Sequence, residues 1–197
     1  ERYGFLRDHK GKPLSSVGRI TPNGVLMTVD LSKNDIVAYR ARKPAEILNL
    51  NYTAGVRNKW SIFFEPIYRP KNGKLILQPG EFYLLVTREG IVIPPEFAAE
   101  MVQYDPSIGN LFAHFAGFFD PGFGWHAKVP KSIMGNVAVM EVVVNDYPVE
   151  IRDGQPICLM AFERMLRIPN RIYGDDINSN YGHQDGVRLA IFFDEPE

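Results

Sequence analysis

The chain has 197 residues, with 22 basic and 23 acidic side chains and a net charge of −1. That length supports one domain with a sizeable core, and the balanced charge gives no global basic bias towards nucleic acid or a membrane surface, although a local basic patch stays open. The single cysteine, Cys158, excludes an internal disulfide and any multi-cysteine zinc site, and it suits a reducing, cytoplasmic setting. No apolar run reaches membrane-spanning length, and no signal peptide is evident. The chain begins with Glu1 rather than methionine, and is read as a processed product or a piece of something longer.

In chain order, residues 1–45 are polar and irregular and read as a strand-poor arm or a linker, with a helix start at LSKNDIVAYR (31–40) capped by Ser32. Residues 46–197 read as one β domain. Fifteen prolines and 17 glycines separate short β-rich runs. The runs are ILNLNY, SIFFEPIY, KLIL, FYLLV, IVI, NLFAHFAGFF, VAVMEVVV, PICLMAF and VRLAIFF. This spacing predicts an all-β barrel or sandwich. PPEFAAEMV (94–102) is the other helix candidate, with Pro95 near its first position and Glu96 in its first turn. LQPGEFYLLVTRE and IRDGQPICLMAFER share a layout of apolar residue, glycine turn and strand, consistent with a barrel of hairpins or with simple reuse of a turn. The polar stretch DDINSNYGHQDG (175–186) reads as a surface loop or a lid.

Two stretches carry candidate chemistry. VAVMEVVV (137–144) places one carboxylate, Glu141, in an apolar strand expected to be buried on both faces. Burial raises a carboxyl pKa and suits a general base or proton shuttle; the other reading is a structural acid paired with an arginine. In AHFAGFFDPGFG (113–124), Asp-Pro-Gly is turn chemistry between aromatic strands. The small pair Ala116-Gly117 leaves a gap that admits another backbone or a flat ligand. Gln184, in YGHQDG, could read the edge of a base with its paired donor and acceptor, or lie in an ordinary turn. His114 and His126 pair with no ligand at metal spacing. The zinc-deaminase pattern, phosphate loop, dinucleotide turn and nucleophile elbow are all absent.

Taken in order, LQPGEFYLLVTREGIVIPPEF, AHFAGFFDPGF, GNVAVMEVVV, IRDGQPICLMAFE, Tyr173 and YGHQDG resemble the dCTP deaminase family of the dUTPase-like fold. The likeness covers about residues 75–186 and is closest to the C-terminal half of the longer, two-domain bacterial form. It implies a distorted β-barrel, a homotrimer or a pseudo-symmetric assembly with an upstream homologous domain, and sites at subunit interfaces. The implied reaction is zinc-independent deamination of dCTP, as its magnesium complex, to dUTP and ammonia. Glu141 matches the family's catalytic glutamate, which takes a proton from water and returns it to the base. Ala116 matches a position whose backbone approaches the base and the water, with Gly117 beside it opening room for a flat pyrimidine. Tyr173 and Gln184 match positions that close over the phosphates.

The chain also departs from that pattern. VQYDPSIG (102–109) has no arginine where the family binds phosphate, Asn180 replaces a lysine, and HAKVPKSIMGN (126–136) is inserted before the glutamate strand. Either an upstream half supplies the missing cation, or this half is a degenerate structural copy. Two alternatives to a deaminase stand beside it. One is a dUTP diphosphatase or a bifunctional, dUMP-forming enzyme; the other is a non-catalytic nucleotide-binding or structural domain completing a trimer.

Overall fold

The computed structural model describes residues 4–8, 10–15, 19–44, 46–51, 55–103, 111–114, 117–125, 135–174, 181 and 184–196. Among the described residues, fourteen strands run in chain order with one helical turn among them. They are β1 (Leu6–Arg7), β2 (Ile20–Thr21), β3 (Gly24–Thr28), β4 (Ile36–Ala41), α1 (Trp60–Phe63), β5 (Phe64–Tyr68), β6 (Lys74–Leu77) and β7 (Phe82–Val86). There follow β8 (Gly90–Ile91), β9 (Phe97–Gln103), β10 (Leu111–His114), β11 (Phe118–Phe119), β12 (Val139–Val144), β13 (Val149–Arg152) and β14 (Pro156–Arg164).

Two antiparallel five-stranded sheets dominate, in the orders β10-β12-β7-β4-β5 and β11-β9-β14-β3-β2. The pairs β1-β8 and β13-β6 stand beside them. One buried cluster draws on both large sheets: Val37, Leu85, Met140 and Val142 from the first, Met27, Met101, Cys158 and Met160 from the second. The Cys158 Sγ lies 3.7 Å from the Met140 Sδ, joining β14 to β12 through the core. The all-β class expected from the sequence holds, but the described strands do not close into a barrel. Among the described residues, the backbone link between the flanks of the two large sheets is the isolated bridge of Val29 with Thr87. Two of the outer strands, β2 and β11, are two residues long, too short to carry a ladder around the seam. The opposite edge strand, β5, contains Pro66, which lacks the N–H that a further neighbour would need.

Several local expectations change. The first 45 residues are not a strand-poor arm. β3 lies between β14 and β2, β4 between β7 and β5, and Met27, Val29, Leu31 and Val37 are core residues. The segment 31–35 is a series of bends rather than a helix, held by Asp30, whose Oδ1 accepts from the backbone N–H of Ser32 (2.8 Å) and Lys33 (3.0 Å). PPEFAAEMV forms the strand β9 rather than a helix. Its alanines and Glu100 favour helix by propensity, but β9 pairs along its full length with β14, from Phe97 opposite Arg164 to Gln103 opposite Cys158. Ala99 and Met101 turn into the core, a period of two that sheet pairing imposes over propensity. ILNLNY forms no strand in its described part, and VRLAIFF serves as packing cover rather than as a ladder strand. The two glycine turns of the repeated layout do share a conformation, with Gly80 at φ 68° and Gly154 at φ 74°, each leading into a strand of a large sheet.

One polar cluster ties the sheets together. Glu89, 1% exposed, accepts from the Thr28 backbone N–H (2.9 Å) and hydroxyl (2.7 Å) and pairs with Arg19. The hydroxyl of neighbouring Thr87 donates to the Glu89 carbonyl and accepts from the Ala138 N–H, both at 2.9 Å, so the cluster reaches the start of β12. Among the described residues, no helix is long and apolar enough to cross a membrane.

Glu89→Ala removes the acceptor of three donors and leaves Arg19 uncompensated. Breaking such a pair is expected to cost about 3 kcal/mol, the lower end for a buried ion pair because Arg19 is partly exposed; urea denaturation measures it. Burial, with the Glu89 charge second, pushes the Cys158 thiol up to about 12. The native protein is therefore expected to resist thiol reagents at pH 8 and to react only as fast as it unfolds, which a timed thiol titration reads directly.

Candidate active site

The pleat of β12 sets the site. Met140, Val142 and Val144 are buried in the core, while Val139, Glu141 and Val143 leave on the other face and are half-buried. The strand is thus not buried on both faces, as its composition suggested; one face stays free for a carboxylate. Glu141 stands opposite Leu84 of β7 and, in backbone register, opposite His114 of β10. Among the described residues it has no ion pair and no side-chain hydrogen bond. The arginine-paired reading of Glu141 therefore lacks its arginine.

The Asp-Pro-Gly turn forms a second wall. Gly122 has φ 103°, and its N–H donates to the Ile93 carbonyl at 2.9 Å. A Cβ on Gly122 would stand 2.6 Å from the Tyr173 carbonyl oxygen, so glycine is what lets the turn and Tyr173 approach. The Tyr173 N–H donates to the Pro121 carbonyl at 2.9 Å. Its ring lies 5.9 Å from that of Phe123, which meets Phe119 edge-on at 5.0 Å. The aromatic residues around the turn are thus a packed hinge between β11 and Tyr173. Gly117 lies on the same side. Where its Cβ would stand, Phe119 and Met101 already approach to 3.4 and 3.6 Å, so the missing side chain is largely taken up by close packing on that side. Ala116 and the insertion over 126–134 lie outside the described residues.

The C-terminal segment forms the third wall. The Gln184 carbonyl accepts from the Val137 N–H at 3.2 Å, and Asn136 Nδ2 donates to the Tyr181 carbonyl at 2.9 Å, fixing the segment to the start of β12. The Gln184 side chain is buried, and its Nε2 donates to the Gly186 carbonyl at 3.1 Å. Asp185 is held by Lys33, and its carbonyl accepts from Asn34 Nδ2 at 3.0 Å. Residues 187–193 then run across the outer face of the first sheet. There Leu189 and Phe193 form a second buried cluster with Tyr39 and Leu84. Phe193 meets Phe64 edge-on at 5.3 Å. Asn58 clamps the end of this run, its backbone N–H and Nδ2 both donating to the Phe192 carbonyl at 2.9 and 2.8 Å.

Between these walls lies a cavity of about 390 Å³. It gathers four of the residues singled out from the sequence, Gly117, Glu141, Tyr173 and Gln184. The rest of its lining is mostly apolar and aromatic, including Phe82, Leu84 and Phe118. Apart from its tyrosines, its ionisable groups are Asp120, Glu141 and Arg188. Arg188 was not singled out from the sequence, nor were Tyr181 and Phe192. The signal for Arg188 was there: one charge inside the apolar run VRLAIFF, the same kind of anomaly that marks Glu141 inside VAVMEVVV. An apolar chamber of this size, with the carboxylates of Asp120 and Glu141 and the guanidinium of Arg188 in its lining, is a small-molecule site able to hold a flat ring beside a proton acceptor.

A two-sheet β domain with a carboxylate on the outer face of a central strand, roofed by its own C-terminal segment, defines the class. The family model for the 2'-deoxycytidine 5'-triphosphate deaminase (DCD) C-terminal domain matches residues 5–193, and the chain belongs to that family. A protein from Coprothermobacter proteolyticus named "dCTP deaminase, dUMP-forming" is 32% identical over 142 residues, 70% of this chain and 69% of its own length. One of the same name from Halobacterium salinarum is 33% identical over 120 residues, 59% of this chain and 56% of its own. The crystal structure of 2'-deoxycytidine 5'-triphosphate deaminase from Agrobacterium tumefaciens superposes with a TM-score of 0.64 at 35% identity, covering 75% of this chain and 43% of that one. The chain therefore spans only part of each of these proteins.

Gly122→Ala forces a left-handed backbone on alanine and drives its Cβ into Tyr173. It is expected to destabilise the protein by about 1–3 kcal/mol and to alter the near-ultraviolet circular dichroism of the Phe123–Tyr173 contact; alanine tolerated without either change would deny the turn its role in placing Tyr173.

Proposed function

We propose that the chain catalyses hydrolytic deamination of dCTP, taken as its magnesium complex, to dUTP and ammonia. The observation that carries this reading is Glu141: a half-buried carboxylate without a partner among the described residues, in the wall of an apolar cavity that also holds Gly117, Tyr173 and Gln184. The family membership and the relatives' names support the substrate. As water oxygen bonds to cytosine C4, Glu141 accepts a water proton and delivers it to N3. From the resulting tetrahedral C4, Glu141 carries the remaining hydroxyl proton to the exocyclic amine. The C4–N bond then breaks, ammonia leaves, and C4 becomes a carbonyl. One water is consumed, one ammonia is released, and Glu141 ends as it began. The aromatic walls exclude bulk water and strengthen each charged contact within. No step is assigned to zinc.

Ala116 is assigned to the base and water site, and Tyr173 and Gln184 to the phosphate end. Assembly as a homotrimer, or pseudo-symmetrically with an upstream homologous domain, belongs to the same proposal. A second reading is favoured by the two relatives named as dUMP-forming. On it, the same site would also hydrolyse the triphosphate between its α and β phosphates, releasing pyrophosphate.

Ammonia release and product identity with dCTP and magnesium test both readings at once. Glu141→Gln is expected to lower turnover by at least about 10²- to 10⁴-fold, the usual worth of a positioned general base, with the thermal transition unchanged. Turnover at the wild-type rate by that variant would remove Glu141 from the chemistry. dUTP as the end product selects simple deamination; dUMP with pyrophosphate selects the bifunctional reading.

A further inference from the structure

We propose that Arg188 is the cavity's anion-binding residue, engaging the substrate's phosphates, and that Glu195 is one of the groups that hold its guanidinium until a phosphate takes that place. The inference rests on the nucleotide reading of the cavity given above. A triphosphate needs cationic partners, and Arg188 is the only lysine or arginine among the described residues that line this cavity. The cavity's other charged groups, Asp120 and Glu141, repel phosphate. The chain also has no arginine over residues 102–109.

The position of Arg188 suits the task. It follows Gln184 by four residues, and the Gln184 carbonyl is tied to the Val137 N–H at the start of the Glu141 strand. It precedes Leu189, buried against Leu84 and Tyr39, so its backbone is anchored on both sides while its side chain is 41% exposed. Its guanidinium Nη2 meets a carboxylate oxygen of Glu195 at 3.1 Å. Glu195 is 85% exposed, and a solvent-exposed ion pair of this kind contributes little and is readily exchanged. A phosphate offers the planar guanidinium a paired, charge-assisted contact, which favours the exchange. Glu195 thus acts as a removable stand-in for an anionic ligand.

The test is equilibrium binding of magnesium dCTP, inorganic triphosphate and deoxycytidine to the wild-type protein and to Arg188→Gln, Arg188→Lys and Glu195→Gln. Arg188→Gln is expected to weaken dCTP and inorganic triphosphate by about 10- to 100-fold, the loss of one charge-assisted contact, while deoxycytidine binds as before. Arg188→Lys is expected to recover part of the loss, since it keeps the charge but not the fork. Glu195→Gln is expected to tighten both phosphate ligands without touching deoxycytidine. Equal triphosphate binding by wild type and Arg188→Gln would overturn the inference, whatever the nucleoside does. Loss of deoxycytidine binding in step with triphosphate would also overturn it, since Arg188 would then be supporting the walls. Failure of deoxycytidine and dCTP to bind the wild-type protein, with inorganic triphosphate still bound through Arg188, would instead sink the nucleotide reading and keep the anion site.

Discussion

Successive side chains of β12 leave the sheet on opposite faces, so Met140, Val142 and Val144 can enter the core only if Val139, Glu141 and Val143 leave it. Each of the three inward residues contributes about 1.5–3 kcal/mol by burial. A slip of one residue would turn Val139, Glu141 and Val143 inward and bury a carboxylate in place of Val142, so the core itself fixes where Glu141 points. The ladders on either side, with β7 and β10, carry the same register into the neighbouring strands. The Thr87 hydroxyl, accepting from the Ala138 N–H, fixes the strand's starting point from the Glu89 cluster. The position of the candidate base is thus a by-product of packing on the far side of the strand.

The outer face of that sheet is covered unevenly. Towards Tyr39 and Phe64 it is sealed by α1 and by residues 187–193, which bury Phe193 and Leu189. Towards Glu141 the cover thins, and the Asp-Pro-Gly turn, Tyr173 and Gln184 form a rim instead. The same aromatic material that completes a hydrophobic cluster at one end becomes a cavity wall at the other. Phe82, Leu84, Val139 and Phe193 belong to both. Stability and the shape of the chamber therefore share residues.

Much of this was legible in the sequence, for identifiable reasons. KLIL, FYLLV and PICLMAF became strands because β-branched and aromatic residues lay between glycine turns whose φ only glycine adopts readily. Glu141 stood out as a lone charge in an apolar run, and the Asp-Pro-Gly turn announced itself by composition. What stayed hidden depended on partners distant in the chain. Ala98, Ala99 and Glu100 look helical until β14 is laid beside them. Residues 1–45 look like an arm until β3 and β4 find their neighbours in the two sheets. VRLAIFF has the composition of a strand, yet its backbone meets the tip of the Asn58 loop rather than a sheet edge. Arg188 carried a signal, a lone charge in VRLAIFF, but only the folded roof brings that charge to the same chamber as Glu141.

Asn58 holds Phe192 across 134 residues of chain. Closing so long a loop is entropically slow, and the β3–β14 pairing, from Thr28 with Pro156 to Val25 with Met160, closes one of comparable length. Until residues 187–193 dock, the chamber is unroofed, its aromatic face open to water and to other chains. The residues that hide this sticky face are made after those that form it, so a chain emerging from the ribosome would expose it until residues 187–193 follow.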